Sequence, residues 1–278
     1  MRPPVWETYG PADLSSVPVF TEGFINFGYW EAVDLEKPLS DGDRLRSEQD
    51  LYRHVLDAVA PGGGRVVEVG CGLGVGCALA LEEYRPAGIT GVDIHPHQLR
   101  RARDVNAALL AAEPDRLRFA LGAAESLPLG DGEFDCLYSV EAAQHFPDLD
   151  AFAREAARVL RPGGRLAVAS FFTVDGTPAQ ADRLAGLLDS YASGLDIARP
   201  VSRLTDALTG SGLVDVRSRS IGPHVWPGWD RWLSRLWSPG TWPRNFLAAW
   251  EERVLDYYVI TAGRPWAPGR DGGKPRSP

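Results

Sequence analysis

The sequence predicts an α/β fold: a mostly parallel sheet covered by helices on both faces. Three observations carry this. The run Arg65-Val66-Val67-Glu68-Val69 is short and apolar and leads into alternating glycines at Gly70, Gly72 and Gly74, the pattern of a buried first strand entering a tight turn and then a helix. Downstream, strand-like runs alternate with helix-like stretches across short loops, as a parallel sheet with crossover helices requires. An acid, Asp93, closes the second strand-like run 19 residues after Gly74, where it can accept hydrogen bonds from both hydroxyls of a ribose. Glycines in the turn allow positive φ and close approach of a ligand to the main chain, and the helix after them presents unpaired N–H groups. A nucleotide-like ligand is the natural occupant. The dinucleotide spacing Gly-x-Gly-x-x-Gly fails, because its last position is Val75 counted from Gly70 and Cys77 counted from Gly72.

The elements follow in order. Residues 1–43 read as irregular, dense in Pro and Gly, yet they carry Trp6, Tyr9, Phe20, Phe24, Phe27, Tyr29 and Trp30; that many rings must pack on something. Asp43 caps a helix running to about Ala60, ended by Pro61 and three glycines. After the first strand come a helix Val75 to Tyr84, a strand Gly88 to Ile94, a helix Pro96 to Leu110 and a strand Leu117 to Leu121. The fourth strand is Cys136 to Val140. Asp148 then caps a helix with Leu149, Phe152, Ala156, Val159 and Leu160 on one face, and the turn Arg161 to Leu166 enters strand five. Helices are expected at Ala179 to Ala192 and Val201 to Gly210, and strands at Val214 to Ile221 and Val254 to Thr261. Between those last strands lies an insertion, 224–253, with six of the nine tryptophans. So many rings suggest an apolar roof for a substrate pocket; plain packing on the sheet edge is the alternative. The tail 264–278, rich in Gly, Pro and Arg, is expected to be disordered.

A chain of 278 residues with 44% hydrophobic content buries a full core. Its net charge of −8 with no basic block argues against a nucleic-acid substrate. No apolar run approaches the ~20 residues that span a bilayer, the N-terminus does not resemble a signal peptide, and a cytoplasmic protein with no membrane partner is expected. Cys71, Cys77 and Cys136 read as reduced core thiols, with neither a CxxC nor a histidine cluster to make a metal site. The oligomeric state is not legible.

The motif Glu68-x-Gly70-x-Gly72-x-Gly74 resembles motif I of the class I S-adenosylmethionine-dependent methyltransferases, whose acid and glycine turn hold the methionine end of the cofactor. Phe24-Ile25-Asn26-Phe27-Gly28-Tyr29-Trp30-Glu31 resembles the N-x-G-Y-W segment that lies over the cofactor as part of a lid in many small-molecule members. Gly122 to Pro128 resembles the G-D-A-E-x-L-P segment after strand three, whose aspartate usually binds the adenine amino group; Ala123 stands there instead. That leaves the backbone of Ala124 to read the ring edge and a neighbouring polar group or water to take the amino group. Leu160 to Leu166 matches the family's L-x-P-G-G-x-L signal closely.

The resemblance covers residues 20–175 well. It implies a Rossmann-like seven-stranded, mostly parallel sheet with an antiparallel seventh strand between strands five and six. It also implies a lid over 1–43, a methyltransferase domain over 44–263, and S-adenosylmethionine as cofactor. Cofactor contacts are expected at Tyr29, Trp30, Glu68, Gly70, Cys71, Gly72, Gly74, Asp93, Ile94, Ala124, Glu125 and Glu141. A small-molecule pocket is expected around Phe24, Phe27, His145, Phe171, His224, Trp226 and Trp229.

Methyl transfer needs the nucleophile held in line and deprotonated. His145 is the leading base because its free pKa lies near 6.5, and Glu141, four residues earlier, falls on the same side of a short helical turn. The E-x-x-x-H pattern after strand four resembles that of small-molecule methyltransferases whose histidine faces the substrate. His224 is the second candidate, and His54, His95 and His97 read as helix or adenosine-side residues. Three readings fit: transfer to oxygen of a largely apolar metabolite such as a polyketide, terpenoid or glycosylated natural product; transfer to an alkene or aromatic carbon, with tryptophans stabilising a cation; and cofactor binding without transfer.

Overall fold

The structure, a computed structural model, describes residues 2–11 and 13–266. Among them seven strands form one sheet: β1 (Arg65–Val69), β2 (Gly88–Asp93), β3 (Leu117–Leu121), β4 (Phe134–Val140), β5 (Leu160–Thr173), β6 (Val214–Ser220) and β7 (Leu255–Gly263), in the order β3-β2-β1-β4-β5-β7-β6. The first five are parallel, with Val66 of β1 level with Ile89 of β2 and Cys136 of β4. β7 runs antiparallel between β5 and β6, pairing Val168 with Ile260. The helices are α1 (Pro3–Tyr9), α2 (Asp41–Val59), α3 (Val75–Tyr84), α4 (Pro96–Val105), α5 (Ala107–Ala112), α6 (Leu149–Val159), α7 (Pro178–Leu187), α8 (Asp189–Ala192), α9 (Val201–Gly210), α10 (Trp226–Leu233) and α11 (Asn245–Glu251).

Strand alternation sends side chains to two cores. On one face Val66, Cys136 and Tyr138 meet Leu51, Val55, Leu56 and Val59 of α2; on the other Val67, Leu137 and Val168 meet Phe152, Ala156 and Val159 of α6 and Leu204 and Leu208 of α9. The α2 residues are fully buried, and each such aliphatic side chain contributes about 1.5–3 kcal/mol.

Several boundaries differ from the sequence reading. The cap of α2 is Ser40, whose Oγ accepts from the Asp43 N–H (3.1 Å) while Asp43 Oδ2 accepts from the Ser40 N–H (2.8 Å). Asp43 is thus the reciprocal partner of a capping box rather than the cap. The helix expected over Pro96 to Leu110 breaks at Asn106, whose side-chain amide donates to the Leu73 carbonyl behind the glycine turn (2.9 Å) and to Ala102 (2.8 Å). The segment 179–192 likewise divides into α7 and α8.

The N-terminal stretch is not wholly irregular. α1, with Pro3 in its first turn, lies across the carboxyl ends of the strands. The start of the tail is packed: Arg264 donates to the Leu160 carbonyl and accepts from the Gly163 N–H (2.9 Å). The disorder expected beyond it falls at 267–278, outside the described residues. None of the described helices is long and apolar enough to cross a membrane.

Candidate active site

A cavity of about 390 Å³ opens at the carboxyl ends of β1, β2 and β4, the place where open parallel sheets bind ligands. Its floor is the turn Gly70 to Leu73, and its sides are Asp93 to His95, Gly122 to Glu125, and Glu141 to Ala142 with His145. Gly72, at φ +51°, has nothing within 4 Å of where a Cβ would stand, so its bare backbone faces the cavity. Gly70 lines the cavity too, but a Cβ there would strike Ala142. Asp93, buried, accepts from the Gly72 N–H (2.9 Å) and the His95 N–H (2.8 Å). Burial pushes its carboxyl up to about 6, against the backbone donors that pull it down.

Two motif residues stand behind the turn instead of on the cavity. Glu68, one residue out of phase with Val67 and Val69, points to the α2 side, where its carboxylate accepts from Tyr138 Oη (2.9 Å), Tyr52 Oη (3.1 Å) and Cys77 Sγ (2.9 Å). Burial holds it up at about 7 although all three donors lower it. Gly74 caps α3, and a side chain there would strike Phe119. Both shape the turn from below. Of the other expected cofactor contacts, Cys71, Ile94, Ala124, Glu125 and Glu141 line the cavity, and Glu125 Oε1 is buried without a hydrogen-bond partner.

Tyr29 and Trp30 do not reach the cavity. The Tyr29 ring stacks on His54 at 4.5 Å and its hydroxyl donates to Glu31 (2.7 Å); the Trp30 indole N–H donates to the Phe27 carbonyl (2.8 Å), and its ring covers Gly228. The strap containing them contributes Gly23 and Ile25 to the cavity wall. It is pinned from below by Arg44, buried, whose guanidinium donates to the Val19 carbonyl (3.0 Å) and the Asn26 carbonyl and pairs with Glu48 (2.9 Å).

The tryptophan insertion is not the roof of the cavity. Phe27 sits among Trp229 (4.7 Å), Phe246 (4.9 Å), Phe171 (5.5 Å) and Trp226 (5.5 Å), a packed aromatic core with none of its rings on the cavity. Phe24 lies against Tyr52 (5.6 Å), which does line it. His224 flanks the Tyr29 ring (5.3 Å) and gives its carbonyl to the Trp30 N–H, remote from the cavity wall. The roof is α1 and the residue that precedes it, through Arg2, Val5 and Tyr9. Trp6 stacks on His95 (4.5 Å), and Arg101 holds the Tyr9 and Gly10 carbonyls (3.2 and 3.0 Å). A seven-residue helix shows too little periodicity to be read in sequence; the uncommon density of rings was its one signal.

Glu141 and His145 are brought together on the wall, joined by a single 3-10 turn, Ala143–His145. Glu141 takes φ +48°, and its Oε1 accepts from the Phe27 N–H (2.7 Å) and from Tyr257 Oη (3.0 Å). Burial pushes this carboxyl up to about 8, while those donors pull it down. His145 Nε2 lies 2.8 Å from the Tyr9 hydroxyl, and Nδ1 lies 3.1 Å from the Leu195 carbonyl and 3.2 Å from Asp196 Oδ1. Burial lowers the imidazole below its usual value, and Asp196 partly offsets this. Tyr9 and Asp196, in segments read as irregular or as a connection, were both missed from sequence. Among the described residues no group of three or more His, Cys, Asp or Glu is placed to hold a metal ion.

Residues 67–168 match the family model described as a methyltransferase domain. The chain is 33% identical to methyltransferase GfsG of Streptomyces halstedii over 94% of each chain. It is 35% identical to erythromycin 3''-O-methyltransferase of Saccharopolyspora erythraea, over 78% of this chain and 71% of that one. It is also 30% identical to 27-O-demethylrifamycin SV methyltransferase of Amycolatopsis mediterranei, over 87% and 90%. In fold it resembles geranyl diphosphate C-methyltransferase of Streptomyces coelicolor, crystallised with S-adenosyl-L-homocysteine, at a TM-score of 0.77 and 18% identity over 94% and 96% of the two chains.

Proposed function

The chain belongs to the class I S-adenosylmethionine-dependent methyltransferases that act on small molecules, and on that premise we propose that it methylates a hydroxyl oxygen of a largely apolar natural product, with His145 as the base. S-adenosylmethionine is its cofactor and supplies, when bound, a methyl carbon activated by the adjacent sulfonium charge. The open backbone at Gly72 and the carboxylate of Asp93 fit that group: the turn Gly70 to Leu73 would hold its methionine end, Asp93 its ribose hydroxyls, and Ala123 to Glu125 its adenine edge. His145 Nε2 would take the proton of the acceptor hydroxyl as that oxygen receives the methyl group.

One observation carries the reading. The Tyr9 hydroxyl already lies 2.8 Å from that nitrogen at the cavity wall, so an oxygen acid is presented to it as an acceptor hydroxyl would be. Relatives named as erythromycin 3''-O-methyltransferase and 27-O-demethylrifamycin SV methyltransferase support an oxygen acceptor on a polyketide or glycosylated natural product. The test is His145→Ala, assayed with labelled cofactor and candidate polyketide alcohols: the rate should fall by roughly 10²–10⁴ with cofactor affinity nearly unchanged. A rate close to wild type removes the base.

A second reading, transfer to carbon, is favoured by Glu141, a carboxyl pushed up to about 8 beside the aromatic core around Phe27. A product carrying the new methyl on carbon, with His145→Ala fully active, would select it.

A further inference from the structure

We propose that Asp196 is a positioning residue for proton transfer: with the Leu195 carbonyl it keeps the proton of the neutral His145 ring on Nδ1, which makes Nε2 the accepting nitrogen, and its carboxylate stabilises the imidazolium that proton uptake creates. This rests on the reading of His145 as base. Nδ1 faces two oxygens, Leu195 O at 3.1 Å and Asp196 Oδ1 at 3.2 Å. Both accept hydrogen bonds, and a bare ring nitrogen facing them would be repelled by each.

The opposite nitrogen gives an independent answer. Gln144 Oε1 accepts from the Ser170 hydroxyl (2.6 Å), and its amide nitrogen donates to the Glu141 carbonyl (2.9 Å), which fixes the orientation of that amide. The same nitrogen lies 3.3 Å from His145 Nε2. An amide nitrogen only donates, so Nε2 must be the acceptor. Tyr9 Oη, 2.8 Å away, then donates to it as well. The Leu195 carbonyl, the Asp196 carboxylate and the Gln144 amide agree on one tautomer, and the Tyr9 hydroxyl, able to donate or accept, accommodates it.

The Leu195 carbonyl takes the Nδ1 proton directly, whereas Asp196 Oδ1 makes no well-aligned hydrogen bond. Asp196 therefore acts on the ring through its charge. Asp196 is buried on the connection between α8 and α9, with its N–H on the Ser190 carbonyl (2.9 Å); burial raises its carboxyl above the usual range, while His145, Ser190 and Arg2 pull it down. The other groups around the ring are Tyr9 on α1, Glu141 at the start of the same loop, and Arg2. Arg2 donates to the Leu195 and Gly194 carbonyls and opposes protonation of the imidazole. Burial disfavours an imidazolium here, and the Asp196 carboxylate is the one nearby charge resolved as favouring it.

The test is ¹⁵N-histidine NMR on the full chain without substrate, the His145 signals being identified by their loss in His145→Gln. The neutral wild-type ring should carry its proton on Nδ1. Asp196→Asn should lower the pH midpoint of the ring by about 1 unit or more, since an opposite charge at this range moves a titration by about 1–3. Asp196→Glu, which keeps the charge, should titrate near the wild type. A proton on Nε2 in the wild type, or equal midpoints in wild type and Asp196→Asn, overturns the proposal. The wild-type tautomer needs no Asp196 variant, so a proton on Nε2 overturns the proposal even if Asp196→Asn fails to fold; Asp196→Ser then supplies the charge-free midpoint. Because none of these signals depends on turnover, they are separate from the His145→Ala rate that tests the base itself.

Discussion

Replacing Gly72 by valine separates a glycine kept for the ligand from one kept for the fold. A Cβ at Gly72 meets no protein atom within 4 Å, so the new side chain has room in the cofactor-free protein. What it must accept is φ +51°, where an L-residue is strained by about 1–2 kcal/mol. For a domain of this size that corresponds to a fall of about 2–8 °C in melting temperature. The branched side chain then stands in the floor of the cavity, where the methionine end of the cofactor is placed. Blocking that approach should weaken S-adenosylhomocysteine at least about 100-fold, or ~2.7 kcal/mol. Gly70→Ala supplies the contrast, because its Cβ would collide with Ala142 and the cost falls on folding as well. Calorimetry with S-adenosylhomocysteine and a thermal melt measure both quantities. Unchanged affinity in a folded Gly72→Val would remove the cofactor from this turn, and collapse of its stability would show that the space above Gly72 is not open.

Three further outcomes are expected. In the wild type the rate should rise with pH through one ionisation below the usual imidazole value, since burial lowers His145, and be level by neutral pH; His145→Ala should lack that limb, and identical profiles would detach the histidine from the proton. Glu68 and Glu141 are raised by burial to about 7 and 8, so between about pH 7 and 8, above the range in which the buried His145, His54 and His95 contribute the opposite slope, the folded state binds protons that the unfolded chain has released, and stability must fall as pH rises. Melting temperatures of the cofactor-free protein should decline across that window, less steeply in Glu141→Gln, and a rising curve would contradict the burial of these carboxyls. Arg44→Ala strips the buried Glu48 of its partner and the strap of its pin, which should cost about 3–5 kcal/mol and expose 19–30 to limited proteolysis; a variant as stable and protease-resistant as wild type would refute the pin.

The sheet and the glycine turn were legible because their signals are local. A buried strand announces itself within five residues, as Arg65 to Val69 does, and the alternation of such runs with helices leaves few topologies. Asp93 was legible for the same reason: a strand end and a fixed distance from the turn place it. The position of Glu68 was not, because a motif specifies a residue and not which face of the sheet its side chain enters; Tyr52, Tyr138 and Cys77, from three elements, decided that. The tryptophans gave a composition without a direction, and only packing around Phe27 showed Trp226 and Trp229 to be core. The surroundings of His145 belong wholly to tertiary structure. Tyr9 and Asp196 approach it from 136 residues before and from the far side of β5, and no periodicity in a chain encodes contacts at such separations. They form where α1 and the loop after α8 close over the same strand ends, so the histidine is visible in the sequence while its proton is placed by the fold.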